Sequence, residues 1–221
     1  MYRPSPFVLV TTLVLSLVAV AAGGNQRIEL DFEKAKPGTV PAGIDVTETA
    51  GTGHLATWEV LKAKDAPGGQ QVFGTTKSIN YGHTFNLALV KGSSFTDVDV
   101  TVQVKAIAGK EDQGGGVVWR AADANNYYIT RWNPLENNFR VYYVKDGRRR
   151  QLASARVKLD TSKWHTVRAV MRGKHIDCFL DGRKLLSVDD DTFTKAGMIG
   201  LWVKADGKTL FDQLQAGAPG A

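Results

Sequence analysis

The sequence predicts an all-β protein, an antiparallel sandwich of two sheets, and three observations predict it. Apolar and polar residues alternate with period two through much of the chain after residue 85, as in strands with one face in a core and the other toward water. Gly and Asp-Gly turn signals recur at intervals of about ten residues, the spacing of short sandwich strands. Beyond the apolar N-terminal segment, no stretch carries a 3.6-residue apolar period.

That first segment, MYRPSPFVLVTTLVLSLVAVAAGG, has one charge (Arg3), an apolar run from Phe7 to Ala22, and small residues at its end. This is the layout of a secretory signal peptide over residues 1–24, cut near Ala22. The apolar run falls short of the roughly 20 residues that span a bilayer, and the expectation is a secreted or periplasmic protein with no transmembrane anchor after cleavage. Residues 25–221 are then one β-sandwich domain, roughly 197 residues, enough for a core of its own. The single cysteine, Cys178, rules out a disulfide within the chain and lies in an apolar strand pattern, as a small buried hydrophobe does.

Residues 34–84 are loose and rich in Gly and Pro, with short strands expected at ATWEVLKA and QQVFGT. FNLALV (85–90) reads as a strand beside the next one, FTDVDVTVQVKAI. There Val98, Val100, Val102 and Val104 face one way and Asp97, Asp99, Thr101, Gln103 and Lys105 the other. In GGGVVWR, Val117 and Trp119 oppose Val118 and Arg120. In NYYITRWNPLENN, Tyr127, Ile129, Arg131 and Asn133 share a face, Tyr128, Thr130 and Trp132 take the opposite one, and Asn133-Pro134 opens a turn. WHTVRAVMRGKHIDCFLDG is the clearest hairpin, turning at Arg172-Gly173-Lys174, with Val167, Ala169, Met171, Ile176, Cys178 and Leu180 on one face. RKLLSV follows Asp181-Gly182. In AGMIGLWVKAD, Ile199, Leu201 and Val203 suit the core, leaving Gly200, Trp202 and Lys204 opposite.

The charge balance, 28 Lys and Arg against 22 Asp and Glu for a net +6, is mixed along the chain. With no recognisable nucleic-acid motif in a chain bearing an export signal, nucleic acid is not an expected partner. Arg148-Arg149-Arg150, after the turn Asp146-Gly147, is the one dense basic run, either a solvated turn or a contact for an anionic surface. His54, His83, His165 and His175 have no metal-ligand spacing, and His165, beside Trp164 at a strand start, reads as structural.

The series GVVWR, NYYITR, a strand ending in Asp-Gly, WHTVRAVMRGKHIDCFLDG, AGMIGLWVKAD and FDQLQ resembles the concanavalin-A-like, laminin-G-like jelly roll. Within it, residues 29–216 resemble the bacterial secreted 3-keto-disaccharide hydrolases, a group similar in fold to glycoside hydrolase family 16. The resemblance implies a two-sheet jelly roll and a carbohydrate or glycoside partner; the expected state is a monomer. It does not imply a family-16 endoglucanase, because the E-x-D-x-x-E carboxylates of such enzymes, acid and nucleophile on one strand face, are missing from this sequence. Keto-sugar chemistry escapes that objection. A carbonyl at C3 acidifies the C2 proton, and the aglycone leaves by elimination, which needs a base, an acid and a group to hold the enolate oxygen.

Alternation proposes where these groups stand. An exposed Trp202 beside Arg120 and Lys204 would give a sugar a flat apolar platform flanked by donors. Arg131, Asn133 and Asn138 are candidate hydroxyl ligands, and Glu136, in the turn between them, is the candidate catalytic base. Many jelly rolls of this kind tie first and last strands with calcium, which makes Asp31 in ELDFE and Asp212 in FDQLQ candidate ligands for a structural calcium ion, the one cofactor expected. Three functions stay open: a keto-glycoside hydrolase, a non-catalytic carbohydrate-binding module, and a structural or adhesion protein of the envelope.

Overall fold

The computed structural model describes residues 26–51, 54–82 and 84–220; the predicted signal peptide and His83 lie outside them. Every regular element among the described residues is a β-strand. One sheet holds β3 (Thr57–Lys62), β4 (Gln71–Lys77), β6 (Val98–Ala108), β11 (His165–Arg172), β12 (His175–Leu180), β13 (Arg183–Asp189) and β15 (Lys208–Gly217), in the order β13-β12-β11-β6-β15-β4-β3, with β1 (Ile28–Leu30) also paired to β15. The other holds β2 (Ile44–Thr49), β5 (Phe85–Val90), β7 (Gly115–Asp123), β8 (Asn126–Asn133), β9 (Asn138–Lys145), β10 (Arg148–Arg156) and β14 (Met198–Lys204), in the order β10-β9-β8-β7-β14-β5-β2. All pairings are antiparallel. The fold is a two-sheet jelly-roll sandwich.

The main core lies between the sheets and follows the alternation. Val98, Val100, Val102 and Val104 of β6 are buried there, with Val167, Ala169 and Met171 of β11 and Ile176, Cys178 and Leu180 of β12. Those two strands pair as the hairpin pattern requires, Val167 to Leu180, Ala169 to Cys178 and Met171 to Ile176. From the facing sheet come Val117, Trp119, Tyr128, Trp132, Ile199, Leu201 and Val203. Burial pushes the Cys178 thiol up to about 12, which leaves it unreactive.

One pairing differs from expectation. FNLALV is not the neighbour of the β6 strand; β5 pairs with β14 and β2 in the opposite sheet. Lys91–Asp97 carries the chain across the sandwich instead of turning a hairpin. The strand shows why its alternation was hard to read: all six residues are buried, because both faces of this sheet meet an apolar core.

The second core arises because the β2-to-β10 sheet is rolled. β10 and β5 stand five steps apart, about 24 Å in a flat sheet at ~4.8 Å per strand. Yet the Arg149 guanidinium of β10 sits 4.8 Å from the centre of the Phe85 ring on β5. Likewise Thr49, at the end of edge strand β2, donates or accepts a 2.7 Å bond with Tyr127 of β8, and its hydroxyl bonds the Ala124 carbonyl. The rolled face encloses Phe85, Leu87, Leu89, Val118, Ala121, Tyr127, Ile129, Tyr142, Val144 and Trp202.

Candidate functional site

The turn after β8 sets the geometry of a polar cluster at one end of the rolled sheet. Asn133, the last residue of β8, accepts the Glu136 N–H on its side-chain oxygen at 3.0 Å, the local bond that makes Asn useful at a turn start. Asn137 takes a positive φ of 49°, and the chain re-enters as β9 with Asn133 opposite Asn138 and Arg131 opposite Arg140. Residues 131, 133, 136, 138 and 140 thereby converge.

Glu136 is the hub. Its Oε2 accepts bonds from Arg131 Nη2 at 2.9 Å, Asn138 Nδ2 at 2.9 Å and Arg140 Nη1 at 3.1 Å. Partial burial alone would raise its carboxyl, but the bonds from Asn138 and Arg131 and the charges of Arg131 and Arg140 prevail and hold it at about 2. The Glu136 side chain is 45% exposed and that of Arg131 only 1%. Arg131 also donates to Asn138 Oδ1 at 2.6 Å and to the Tyr142 hydroxyl at 3.2 Å. The arrangement presents an ionised carboxylate toward solvent on a bed of buried cations and amides.

A buried pair backs this hub. Asn133 Nδ2 donates to Asp112 Oδ1 at 3.0 Å, and Asp112 Oδ2 lies 3.2 Å from Lys204 Nζ. Burial raises the Asp112 carboxyl above its ordinary value, against the opposing charges of Arg131 and Lys204. The loop that delivers Asp112 is itself anchored by Asp206, whose carboxylate accepts the backbone N–H groups of Lys110, Glu111 and Asp112.

The structure brings Arg131, Asn133, Glu136, Asn138 and Lys204 together and leaves Trp202 and Arg120 out. Trp202 is fully buried and forms no exposed platform. The rolling of the sheet encloses its ring between Phe85, 5.1 Å away, and Arg149, with its Nε1 donating to Tyr127. Arg120 departs from alternation at the β7 irregularity between Trp119 and Asp123, where its own φ is 46°. Its guanidinium turns away from the cluster and clamps the Thr96, Phe193 and Gly173 carbonyls at 2.5, 2.7 and 2.7 Å.

Asp31 and Asp212 come near enough for their charges to interact, but both oxygens of Asp212 are already taken by backbone N–H groups. Asp212 is buried and accepts the Gly68 and Gln213 N–H groups, and Asp31 accepts the Glu33 N–H. Burial raises the Asp212 carboxyl, the two N–H bonds pull it down, and the Glu33 and Asp31 charges raise it further. Calcium asks for six to eight oxygen ligands, and among the described residues no group of three or more His, Cys, Asp or Glu is arranged to hold a metal. The residues present do not fit a calcium site.

Three members of the cluster were not singled out from the sequence, Asp112, Arg140 and Tyr142, and Arg149 was read only as part of a basic run. Arg140 and Tyr142 carried a signal, since they alternate with Asn138 along NNFRVYY and so share its face. Asp112 carried none, because GKEDQGGG is an irregular loop placed by Asp206 from 94 residues away.

Comparison with protein families settles the kinship. The model of the 3-keto-alpha-glucoside-1,2-lyase-like domain matches residues 49–216. The chain belongs to that family. The 3-keto-alpha-glucoside-1,2-lyase-like match spans both sheets and every residue of the Glu136 cluster. Among proteins of curated function none matches the chain by sequence. Solved structures share the fold of this lyase-like domain at low identity. The carbohydrate binding module CBM66 from Bacillus subtilis aligns with TM-score 0.59 and 17% identity, over 77% of this chain and 94% of that one. A Bacteroides ovatus GH16 protein of a mixed-linkage glucan locus, in complex with its product, aligns with TM-score 0.59 and 13% identity, over 86% and 99%. The Bacillus licheniformis beta-glucanase aligns with TM-score 0.57 and 10% identity, over 88% and 98%.

Proposed function

We propose that the protein binds carbohydrate at the Glu136 cluster and cleaves 3-keto glycosides there by elimination, in the periplasm or outside the cell. The observation that carries this reading is a half-exposed carboxylate held ionised over Arg131, Arg140 and Asn138. Membership of a 3-keto-glucoside lyase-like family supports the substrate class. The jelly rolls it resembles include a carbohydrate binding module and a beta-glucanase. The layout of residues 1–24 supports export.

The chemistry asks little of the protein. Glu136 takes the C2 proton, and the electron pair moves onto the C3 oxygen as an enolate, which the Arg140 and Arg131 guanidinium groups and the Asn138 amide stabilise. When the carbonyl re-forms, C1=C2 closes, the C1–O bond to the aglycone breaks, and Glu136 returns its proton to the departing oxygen. Water adding across the double bond makes the net result a hydrolysis. A bound sugar desolvates Glu136 and draws its three donors toward the enolate, both of which raise the basicity of a carboxylate now held at about 2.

A second reading has its own observation. A carboxylate held at about 2 is a weak base, which suits a lectin-like site that holds hydroxyls without cleaving. A thermal-shift screen of the exported protein against di- and oligosaccharides and their 3-keto forms, with product followed in the same wells, separates the two. Release of aglycone from keto substrates alone supports the lyase. Stabilisation by sugars with no release supports the binding module, and no response to any sugar contradicts both.

A further inference from the structure

The cluster holds more positive charge than its acids answer. Arg131, Arg140 and Arg149 all converge on Tyr142. Arg131 and Arg140 bond its hydroxyl at 3.2 and 3.5 Å, and the Arg149 guanidinium lies 4.5 Å from its ring centre. Glu136 pairs with the first two only. Two guanidinium nitrogens here, Arg131 Nε and Arg149 Nη1, are buried without an acceptor among the described residues. An unmade bond at a buried charged donor costs about 1–3 kcal/mol or more, so an added acceptor at these two donors is favoured.

A cleft of about 480 Å³ opens beside Arg149, lined by Tyr143, Lys145, Asp146, Arg148, Arg149 and Arg150. β10 is the edge strand of its sheet, so side chains from both of its faces reach this one cleft. Lys145 pairs across the hairpin with Arg148 and Tyr143 with Arg150, which sets three cations on one side while Arg149 lies over the aromatic rings on the other. None of the four cations has an ion-pair partner among the described residues, Asp146 included. Arginine forks match phosphate and carboxylate groups in pairs of parallel bonds.

We infer that the Lys145–Arg150 cleft seats the phosphate or carboxylate of an anionic saccharide against Arg149. The inference rests on the reading of the Glu136 cluster as a carbohydrate site. Tyr142 joins the cleft to that cluster, since its hydroxyl faces Arg131 and its ring faces Arg149. Burial depresses the Arg149 guanidinium, a penalty that an incoming anion relieves. If no anion is bound, the same cations serve only to guard an edge strand against pairing with other chains.

The test is titration calorimetry of the full exported chain with trehalose, trehalose 6-phosphate, inorganic phosphate and phosphatidylglycerol vesicles, at low and at 0.3 M salt. The sugar phosphate is expected to bind at least tenfold tighter than trehalose, with the advantage shrinking in high salt. Arg148→Gln with Arg150→Gln, both at exposed positions that leave the core intact, removes most of the advantage. Arg149→Lys keeps part of it and Arg149→Gln does not. Equal affinity for the two sugars overturns the inference and leaves the carbohydrate reading standing. Inorganic phosphate binding as tightly as the sugar phosphate, or response to vesicles alone, overturns it as well, because the sugar then plays no part.

Discussion

Glu136 Oε2 lies 2.9 Å from Arg131 Nη2, a half-exposed carboxylate on a guanidinium that is 1% exposed. The asymmetry matters. Arg131 has no other acid bonded to it, so its burial depends on Glu136, whereas Glu136 has two further donors in Asn138 and Arg140.

Replacing Glu136 therefore has two separable effects. Glu136→Gln is expected to lower cleavage of a 3-keto glycoside by about 100-fold or more, the usual worth of a general base. It is also expected to cost about 1–2 kcal/mol of stability, the lower end for a buried pair because the carboxylate is half in water. Chemical denaturation and single-turnover assays measure the two independently.

The pH dependence follows from the depressed Glu136 carboxyl. Its folded value, about 2, is below the ordinary 4.5, so its contribution is fully present above about 4.5 and is lost as pH falls toward 2. Unfolding midpoints across that window should fall for the wild type and fall less for Glu136→Gln.

Asp112 has the opposite sign. Its carboxyl is raised by burial, so any stability it adds is present at low pH and lost as pH rises above the ordinary 3.8. Asp112→Asn retains an acceptor toward Lys204 without the buried charge, and its stability relative to wild type should improve from pH 4 to pH 7. Asp112→Ala, which leaves Asn133 Nδ2 without its acceptor and Lys204 with only the 3.9 Å contact to Glu111, should cost about 2–3 kcal/mol at pH 7.

Trp202 is a core residue of the rolled sheet. Trp202→Ala is expected to cost about 3–5 kcal/mol, read as a shift of the denaturation midpoint, with sugar binding lost only through unfolding. An exposed platform residue would instead cost almost no stability.

Calcium at millimolar concentration should leave the melting temperature where it is, because both oxygens of Asp212 already accept backbone N–H groups. A rise of several degrees would show that Asp31 and Asp212 rearrange around a cation.

The strands were legible in the sequence wherever one face met a core and the other met water. The valines of β6 and the Val167–Leu180 hairpin fall where alternation puts them. So does the convergence of Arg131, Asn133, Glu136 and Asn138, since period two and an Asn-Pro turn suffice to bring them together. Trp202 and Phe85 were not legible, because alternation tells which face a residue takes and not whether that face is open. The sheet's rolling, which closes it, depends on meetings such as Thr49 with Tyr127, 78 residues apart. Arg120 was misplaced by a single irregularity in β7, and Asp112 was missed because its loop is anchored from Asp206. Long-range contact decided each of these, and no local pattern records it.

The most direct test is to follow aglycone release from one 3-keto glycoside and from the same glycoside unoxidised, with wild-type protein and Glu136→Gln side by side. The elimination account predicts release from the keto form alone, with a transient 1,2-unsaturated ketone, and loss of that release in Glu136→Gln. Equal release from both glycosides, or release undiminished in Glu136→Gln, would contradict it.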